Sequence, residues 1–329
     1  MSKIKMRYIK NVCLVDTSYA LSLYLLYRSM HDIETTLFFV GDTIHPNVRE
    51  KLPHVVHIPA KMLDWKAMYE WRKRQYFRWP CLLWSNIYAQ DHIAYADILI
   101  GRRKYILLED APGVYGQLRD VSFLKPFQPN KGDTLKRRIK YFLSHSSIYG
   151  KRFGTNNQCT KRLVTNPKDL SSEYIAGKPY ELLSLKDLWM QSDETKKAYI
   201  LQLFSVPEET LQRAKDVDLL ILSQPFVEDC GLSSEEMIEL YKPYVEKYKH
   251  VVIKVHPRDK FDYESYFPNV EIMTNQAPMQ LLNAMGVVYP NALTVCSTAL
   301  SAMPSETNRI YLGTKVNAKI YKIYGDLCN

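Results

Sequence analysis

A histidine, a proline and an arginine stand directly behind an apolar run in this chain. The run is VVIKV (251–255), and His256, Pro257 and Arg258 follow it without a gap. Its β-branched residues predict a buried strand, and proline restricts the backbone of the residue before it. A histidine with a pKa near ~6.5 can donate to a leaving phosphate oxygen. Because Lys254 and Arg258 add positive charge, the segment predicts a site for an anionic ligand.

Polar side chains also follow three other predicted strands. In open α/β sheets, ligands bind beyond the carboxyl ends of the strands, so all four clusters are expected at the ligand-binding edge of their sheets. Each cluster alone could be a turn or a capped helix, but four of them at strand ends indicate function. The further clusters are Gln224, Pro225, Glu228 and Asp229 after 218–222, Glu109 and Asp110 after 104–108, and Ser297 and Thr298 after the predicted strand 286–290 and a short loop.

These side chains could together carry out glycosyl transfer. The basic residues of 254–258, with the hydroxyls and N–H groups at the helix start at 297–298, form an anion site that needs no metal. A carboxylate could take the proton of an acceptor hydroxyl. These are the parts of an inverting transfer from a nucleotide sugar. Asp216 and Asp218 resemble the DxD metal motif of many glycosyltransferases, but they precede their strand, so we expect no metal there.

Alternating strands and helices must position these residues. Two such arrays predict an α/β fold of two Rossmann-like domains that face each other across a cleft. We place the first domain, on the acceptor side, at 1–200 and the second, for the donor nucleotide sugar, at 201–329. Between 117 and 190 the pattern weakens, and loop excursions are expected. The first array contains NVCLVD (11–16), then Thr17 and Ser18 as helix caps, TTLFFVGD (35–42), HVVHIP (54–59), ADILI (96–100) and KYILL (104–108); the second contains 218–222, 251–255, 270–273 and 286–290.

Composition narrows the class of protein. Of the 329 residues 46% are hydrophobic, which is ample for packed cores. The apolar runs fall short of the ~18–20 residues that cross a bilayer. The six cysteines are scattered, so we expect reduced thiols in a cytoplasmic protein rather than disulfides or structural zinc. A net charge of +9 implies an anionic partner.

At these residues the chain resembles the bacterial sialyltransferases of two-domain GT-B architecture, most closely the lipooligosaccharide sialyltransferases of glycosyltransferase family 52. This resemblance implies a GT-B-like fold, a CMP-sialic acid donor, a galactose-type acceptor on a lipooligosaccharide or capsule glycan, inversion, and no metal or other cofactor. It also favours a homodimer. The matching segments are VDTSYAL (15–21), LLEDAPGVYG (107–116), ILSQPFVEDCGLSSEEMIELY (221–241), VVIKVHPRD (251–259) and CSTALS (296–301).

The resemblance implies roles for the motif residues. His256 would be the acid or phosphate-stabilising group on the departing CMP, and Pro257 would shape its turn. Asp229 is the first choice for the general base, and Asp110 is the second. Ser297 and Thr298 would contact the phosphate or carboxylate of the donor. The remaining assignments are Lys254, Arg258, Gln224 and Gln280 to donor binding, and Glu109, Thr17, Ser18 and Tyr19 to the acceptor side.

Two departures from the family pattern keep other functions open. Ala111 stands where bacterial sialyltransferases usually have glycine, and Gln280 stands where many GT-B enzymes have an acidic residue. Both would suit a transferase of the same fold that uses another nucleotide sugar, such as a UDP-hexose. A non-catalytic scaffold is a further alternative. A nucleic-acid-binding role is not expected, because the chain has no recognisable nucleic-acid motif and a basic patch alone is a weak signal.

A basic, aromatic-rich tract covers 61–84. Six cations lie between 61 and 78, and four tryptophans follow or alternate with them. The tract could face a membrane surface, form a platform for acceptor sugars, or be a partly buried helix with solvated charges. The basic segment 131–142 favours the membrane, which would place the enzyme on the inner face of the cytoplasmic membrane.

Overall fold

The computed structural model describes residues 8–58, 65–93, 95–117, 134–135, 152–172, 175 and 177–327. The chain forms two compact units, Met1–Lys196 and Lys197–Asn329. In the described residues each unit has one β-sheet, and every strand pair there is parallel. The predicted α/β class is therefore confirmed.

The described part of the first unit has a seven-stranded sheet in the order β3-β2-β1-β4-β5-β6-β7. The order reverses at β1, with β2 on one side and β4 on the other. Ligands in such sheets bind at this reversal, beyond the carboxyl ends of the strands. The strands are β1 (Asn11–Val15), β2 (Thr36–Val40), β3 (Val55–His57), β4 (Asn86–Ala89), β5 (Tyr105–Leu108), β6 (Cys159–Val164) and β7 (Tyr180–Leu182).

Helices of the first unit follow the strands of its sheet. The side chain of Thr17 accepts a hydrogen bond from the Ala20 N–H and so caps α1, as predicted. The helices are α1 (Ser18–Tyr27), α2 (Met30–Glu34), α3 (Pro46–Lys51), α4 (Trp65–Arg78), α5 (Ala96–Ile100), α6 (Val114–Gln117) and α7 (Leu185–Gln191), with 3₁₀ turns at Pro80–Leu83 and Pro167–Ser171; α8 (Glu194–Leu203) begins in this unit and ends in the next.

Three segments of the first unit differ from the sequence prediction. The strand between β1 and β5 in the sheet is β4, directly after the aromatic-rich tract, whereas ADILI (96–100) is the short helix α5. The span 117–190 contains β6 and β7 where only loops were expected. The sequence pattern did not indicate β6 because its middle residues are the charged Lys161 and Arg162. Arg162 is buried there because its guanidinium donates to the carbonyls of Gly154 and Pro179.

The described part of the second unit has a five-stranded sheet in the order β10-β9-β8-β11-β12. Its central strand β8 is buried along its whole length, as a parallel sheet covered on both faces requires. The strands are β8 (Leu219–Leu222), β9 (Val251–Lys254), β10 (Glu271–Met273), β11 (Asn291–Thr294) and β12 (Asn308–Tyr311), and the helices are α9 (Thr210–Arg213), α10 (Phe226–Cys230), α11 (Ser234–Lys247), α12 (Tyr263–Tyr266), α13 (Met279–Ala284) and α14 (Ala318–Tyr324).

The predicted strand at 286–290 is wrong, because β11 begins at Asn291. Residues 286 and 287 instead terminate helix α13. The Gly286 N–H donates to the Asn283 carbonyl, and the Val287 N–H donates to the Leu282 carbonyl. Gly286 has a φ of +93°, which favours glycine. Among the described residues, no helix has the length and apolar character needed to span a membrane.

Candidate active site

The turn after β9 fixes both the backbone and the ring of His256. Its backbone N–H donates to the Ser223 Oγ at 3.0 Å. Its ring Nδ1 accepts from the Arg258 N–H at 3.2 Å. Because Nδ1 accepts, the neutral ring carries its proton on Nε2. Burial, aided by the charge of Arg258, lowers the pKa of His256 although Asp229 opposes the shift. At neutral pH the turn therefore presents an uncharged Nε2–H donor.

A buried hydrogen-bond network supports this turn. The Ser223 hydroxyl donates to the Asp259 Oδ2 at 2.6 Å, and the Tyr263 hydroxyl donates to the same oxygen at 2.8 Å. The Asp259 N–H in turn donates to the His256 carbonyl at 2.8 Å. Ser223 follows β8, so the network ties the end of that strand to the end of β9. Burial raises the pKa of Asp259. These residues position His256.

Asp229 lies beside the same turn but is occupied by partners. Arg258 donates to both of its carboxylate oxygens at 2.9 Å, and the Tyr324 hydroxyl donates at 2.7 Å. The hydrogen bond from Arg258 is the main cause that lowers the pKa of Asp229. A carboxylate with a lowered pKa and three donors is a weak proton acceptor. This environment suits an anchor for Arg258 better than a general base.

Lys254 and Gln224 lie at the same carboxyl edge of the sheet. The Lys254 ammonium donates to the main-chain carbonyl and the side-chain oxygen of Asn275, at 3.2 and 3.3 Å. Burial lowers the pKa of Lys254 to about 8. Lys254 thus joins the end of β9 to the segment after β10. Gln224 is half-buried beyond β8, and Pro257 is exposed.

The serine/threonine cluster adjoins this edge beyond β11. Ser297 caps a five-residue 3₁₀ helix, Thr298–Ala302, where the sequence predicted an α-helix. Its N–H donates to the Thr294 Oγ1 at 3.1 Å, and Thr294 donates to the Leu222 carbonyl at 3.0 Å. The ends of β11 and β8 are therefore joined. Asn283 of α13 donates to the Ala302 carbonyl at 2.9 Å, which packs the helix that carries Gln280 against this cluster.

In the first unit, Gln90 joins the carboxyl ends of β1, β4 and β5 at the reversal of strand order. Its Oε1 accepts from the N–H groups of Asp16 and Thr17, at 2.6 and 3.2 Å. Its Nε2 donates to the Asp110 Oδ1 at 2.6 Å and to the Thr17 Oγ1 at 3.1 Å. Thr17 also donates to the Asp110 carbonyl at 3.4 Å. The structure thus brings Thr17 and Asp110 together.

His92 is a further neighbour of Asp110. The His92 Nε2 lies 3.5 Å from the Asp110 Oδ1, and the side chains keep 22% and 33% of their exposure. The His92 ring stacks on Phe153 with a centroid distance of 4.7 Å. Asp110 is therefore fixed at one oxygen and is accessible enough to accept a proton.

Glu109 precedes Asp110 in the chain and is buried. One of its oxygens accepts from the Tyr19 hydroxyl and from the N–H and hydroxyl of Thr165, at 3.0 and 2.5 Å for Thr165. Burial is the main cause that raises the pKa of Glu109 to about 7. Tyr19 is also buried, and Ser18 is half-buried in the first turn of α1. Glu109, Tyr19 and Thr165 therefore form a buried hydrogen-bonded group at the carboxyl ends of β5 and β6.

The sequence matches one protein family over much of its length. The model of glycosyltransferase family 52 matches residues 137–319, more than half of the chain. The chain belongs to glycosyltransferase family 52. The predicted resemblance is confirmed, and the protein is a glycosyltransferase.

A curated protein and several solved structures are similar to this family 52 chain. An uncharacterised protein of Haemophilus influenzae is 28% identical over 97% of this chain and 99% of the relative. An α/β-galactoside α-2,3-sialyltransferase of Photobacterium phosphoreum has a TM-score of 0.58 and 11% identity, covering 95% of this chain and 94% of that one. These values show a shared fold.

Two further structures of sialyltransferases support the same fold. The GT-B domain of a Photobacterium damselae sialyltransferase has a TM-score of 0.52 and 13% identity, covering 91% of this chain and 90% of that one. A 2,6-sialyltransferase of Photobacterium sp. JT-ISH-224, in complex with CMP and lactose, also has a TM-score of 0.52, with 12% identity, covering 91% of this chain and 71% of that one. The GT-B fold of the family 52 chain is therefore shown.

Sequence reasoning missed several residues that position the family 52 site. Gln90 and His92 could have been found from the polar triplet QDH (90–92), which directly follows the apolar residues of NIYA (86–89). The other predicted strands also end in polar residues. Ser223 and Asp259 lie within motifs that were recognised, but no role was assigned to them. Thr165 follows β6, a strand that the sequence did not indicate. The part of the chain that the structure describes holds no group of three or more metal-ligating side chains.

Proposed function

We propose that this family 52 glycosyltransferase transfers sialic acid from CMP-sialic acid to a galactose-type hydroxyl of a bacterial lipooligosaccharide or capsule glycan. The observation that carries the proposal is the fixed Nε2–H donor of His256 at the carboxyl edge of the second sheet. Membership of family 52 and the fold shared with sialyltransferases support it. So does the neighbouring structure that contains CMP and lactose.

We assign donor binding to the second unit. The departing CMP is an anion, and Arg258 together with the Ser297 and Thr298 hydroxyls supplies charge and hydrogen bonds for it. As the bond from the sugar carbon to the phosphate oxygen breaks, its electron pair goes to that oxygen. The Nε2–H of His256 donates a hydrogen bond to it. Such a donor stabilises developing charge most in a site that excludes water. On this assignment the reaction needs no metal.

We assign acceptor activation to the first unit and propose Asp110 as the general base. The acceptor hydroxyl would give its proton to the Asp110 carboxylate while its oxygen bonds to the sugar carbon, with inversion. Asp110 accepts one amide hydrogen bond and remains partly exposed, whereas Asp229 is held by Arg258 and Tyr324. Asp110 is therefore preferred to Asp229, the first choice from sequence.

A UDP-hexose is the alternative donor, favoured by Ala111 and Gln280. Thermal unfolding with CMP, CMP-sialic acid, UDP and UDP-hexoses, each with and without a chelator, discriminates between them. A ligand at ~100 times its dissociation constant adds about 2.7 kcal/mol to the unfolding free energy. We expect stabilisation by the CMP compounds that survives the chelator, together with CMP release when lactose is added. Stabilisation by UDP compounds alone would contradict the donor, and no nucleotide response would favour a scaffold.

We further propose that the enzyme is a cytoplasmic homodimer that takes glycolipid acceptors. The family resemblance and the scattered cysteines support this. Light scattering on the purified chain tests the oligomeric state: twice the monomer mass of 38.5 kDa is expected, and the monomer mass would contradict it.

A further inference from the structure

Four large apolar side chains are exposed at the amino ends of the strands in the first sheet. Phe77 is 90% exposed, Leu83 64%, Tyr8 60% and Trp84 59%. Water-exposed apolar residues are common singly, but a cluster of this size indicates an interaction surface. We call these four residues and the cations Lys10, Arg74, Arg78 and Lys104 the amino-edge surface.

Short contacts bring the parts of this surface together. Helix α4 carries Phe77 and ends at Arg78, and a 3₁₀ turn then leads through Leu83 and Trp84 into β4. The Asn86 N–H donates to the Lys10 carbonyl at 3.0 Å, and the Ser85 hydroxyl donates to the Ile9 carbonyl at 3.3 Å. Tyr8 and Lys10 thus adjoin Trp84. Arg103 donates to the Ser85 carbonyl, which brings Lys104 to the same edge.

The backbone holds these side chains outward. Other residues of the same tract face the core: Cys81 and Leu82 are buried in it, and Trp71 and Trp79 are partly buried against it. The Tyr76 hydroxyl donates to the Leu99 carbonyl at 2.9 Å and fixes α4 against α5. The core beside the exposed residues is already filled, so they cannot turn inward without displacing a packed neighbour. Their exposure therefore needs another explanation.

The amino-edge surface carries four exposed cations. Lys10, Arg74, Arg78 and Lys104 are all exposed. The Arg78 guanidinium lies 5.5 Å from the centre of the Trp79 ring. No aspartate or glutamate occurs between residues 71 and 90 or between 101 and 108. Cations around exposed Trp, Phe, Tyr and Leu side chains complement an anionic lipid headgroup layer, where aromatic rings lie at the headgroup level.

We propose that the amino-edge surface docks the enzyme on a bilayer that contains anionic phospholipid. Leu83 and Phe77 would enter the boundary of the acyl chains, and the cations would meet lipid phosphates. The candidate base Asp110 lies at the opposite, carboxyl end of the same sheet, so docking leaves it accessible. This proposal is independent of which nucleotide sugar is the donor.

Vesicle co-sedimentation of the full chain tests the proposal. Vesicles of phosphatidylglycerol and phosphatidylethanolamine are compared with vesicles of phosphatidylcholine alone. The wild-type chain is expected to bind the anionic vesicles and to bind less as salt is raised. The triple variant F77S/L83S/W84S is expected to lose at least about tenfold in partitioning. R74Q/R78Q is expected to lose about fivefold for each cation and to depend less on salt.

Matched controls come from exposed residues elsewhere in the chain. M190S/I323S removes side chains that are 67% and 56% exposed, and K242Q/K322Q removes two surface cations. Both controls should bind like the wild type, and all variants should keep the wild-type circular dichroism. Equal binding of the wild type to neutral and anionic vesicles, unchanged binding of the triple variant, or equal losses in the controls would each overturn the proposal. The proposal would also be overturned if the wild type did not bind vesicles and the triple variant had a lower mass in solution than the wild type. The surface would then only join copies of the chain.

Discussion

The guanidinium of Arg258 binds both carboxylate oxygens of Asp229, with Nη1–Oδ1 and Nη2–Oδ2 distances of 2.9 Å. In our proposal this ion pair makes Asp229 the weaker of the two acidic residues that the sequence offered as general base. Through this ion pair, Asp229 holds Arg258 beside the His256 turn. Asp110, which accepts one amide hydrogen bond from Gln90, is left as the carboxylate better suited to take a proton.

Asp110→Asn should abolish most of the turnover. Removing a general base costs roughly 10²–10⁴-fold in rate, and asparagine keeps the shape of the residue. Asp229→Asn should cost less in kcat and act mainly through donor KM, because Arg258 loses its anchor. Release of CMP at saturating donor and acceptor measures both variants. A larger kcat loss in Asp229→Asn than in Asp110→Asn would reverse the assignment.

His256→Gln should keep more activity than His256→Ala. The histidine is proposed to act as an uncharged Nε2–H donor, and the glutamine amide can replace such a donor but cannot act as an acid. Loss of one preorganised donor costs about 10²–10³-fold, so the alanine variant should fall by that factor and the glutamine variant by at least tenfold less. Steady-state kinetics at pH 7 measures this. Equal losses would indicate that a protonated imidazole is required.

Arg258→Gln should destabilise the second unit only where Asp229 is ionised. The pKa of Asp229 is lowered in the folded chain, so its contribution is present above the unfolded value of ~3.9 and is lost as pH falls through the folded pKa. Because Arg258 is half exposed, we expect a difference on the order of 1 kcal/mol at pH 7. Urea unfolding at several pH values measures it. A difference that persists below the folded pKa would contradict the ionic origin.

Glu109→Gln should make the first unit more stable relative to the wild type as pH rises. The pKa of Glu109 is raised from its usual ~4.3 to about 7, so folded wild type loses stability between these values while glutamine does not titrate. The variant can still accept from Tyr19 and Thr165. The difference in unfolding free energy between the variant and the wild type should change in favour of the variant by roughly 2–4 kcal/mol from pH 4 to pH 7 and then level off. The matched control is the exposed Glu246→Gln, and a pH-independent gap in unfolding free energy would contradict the prediction.

The sequence predicted the two arrays because parallel strands buried on both faces are continuous apolar runs, as in β1, β2, β8 and β9. It missed β4 because the four residues NIYA follow a tract full of tryptophan and arginine. It displaced β11 because GVVYP resembles a strand until the termination of α13 is known. The resulting error was five residues, and Ser297 still follows the strand that was misplaced.

Some site residues could likewise be predicted from the sequence, and others could not. His256 and Asp110 could be found because they follow recognisable strands. The residues that orient them could not, because their partners are distant in sequence: Gln90 bonds Asp16 and Thr17 from more than 70 positions away, and Ser223 reaches His256 across 33. Such contacts depend on strand order, which spacing along the chain does not encode. The pairing of Arg258 with Asp229 was unforeseen for the same reason.

The parallel pairing of every described strand has a consequence for folding. None of the described strand pairs can form as a local hairpin, so each pairing must close a long crossover, and the residues of β1 pair with residues of β4 that lie 75 positions later. Chains dominated by such non-local pairings fold slowly and expose apolar strands on the way. The first sheet also cannot be completed during synthesis until β7 at 180–182 has left the ribosome. We therefore expect slow refolding, with aggregation at high concentration, and a chaperone requirement that begins with the first unit.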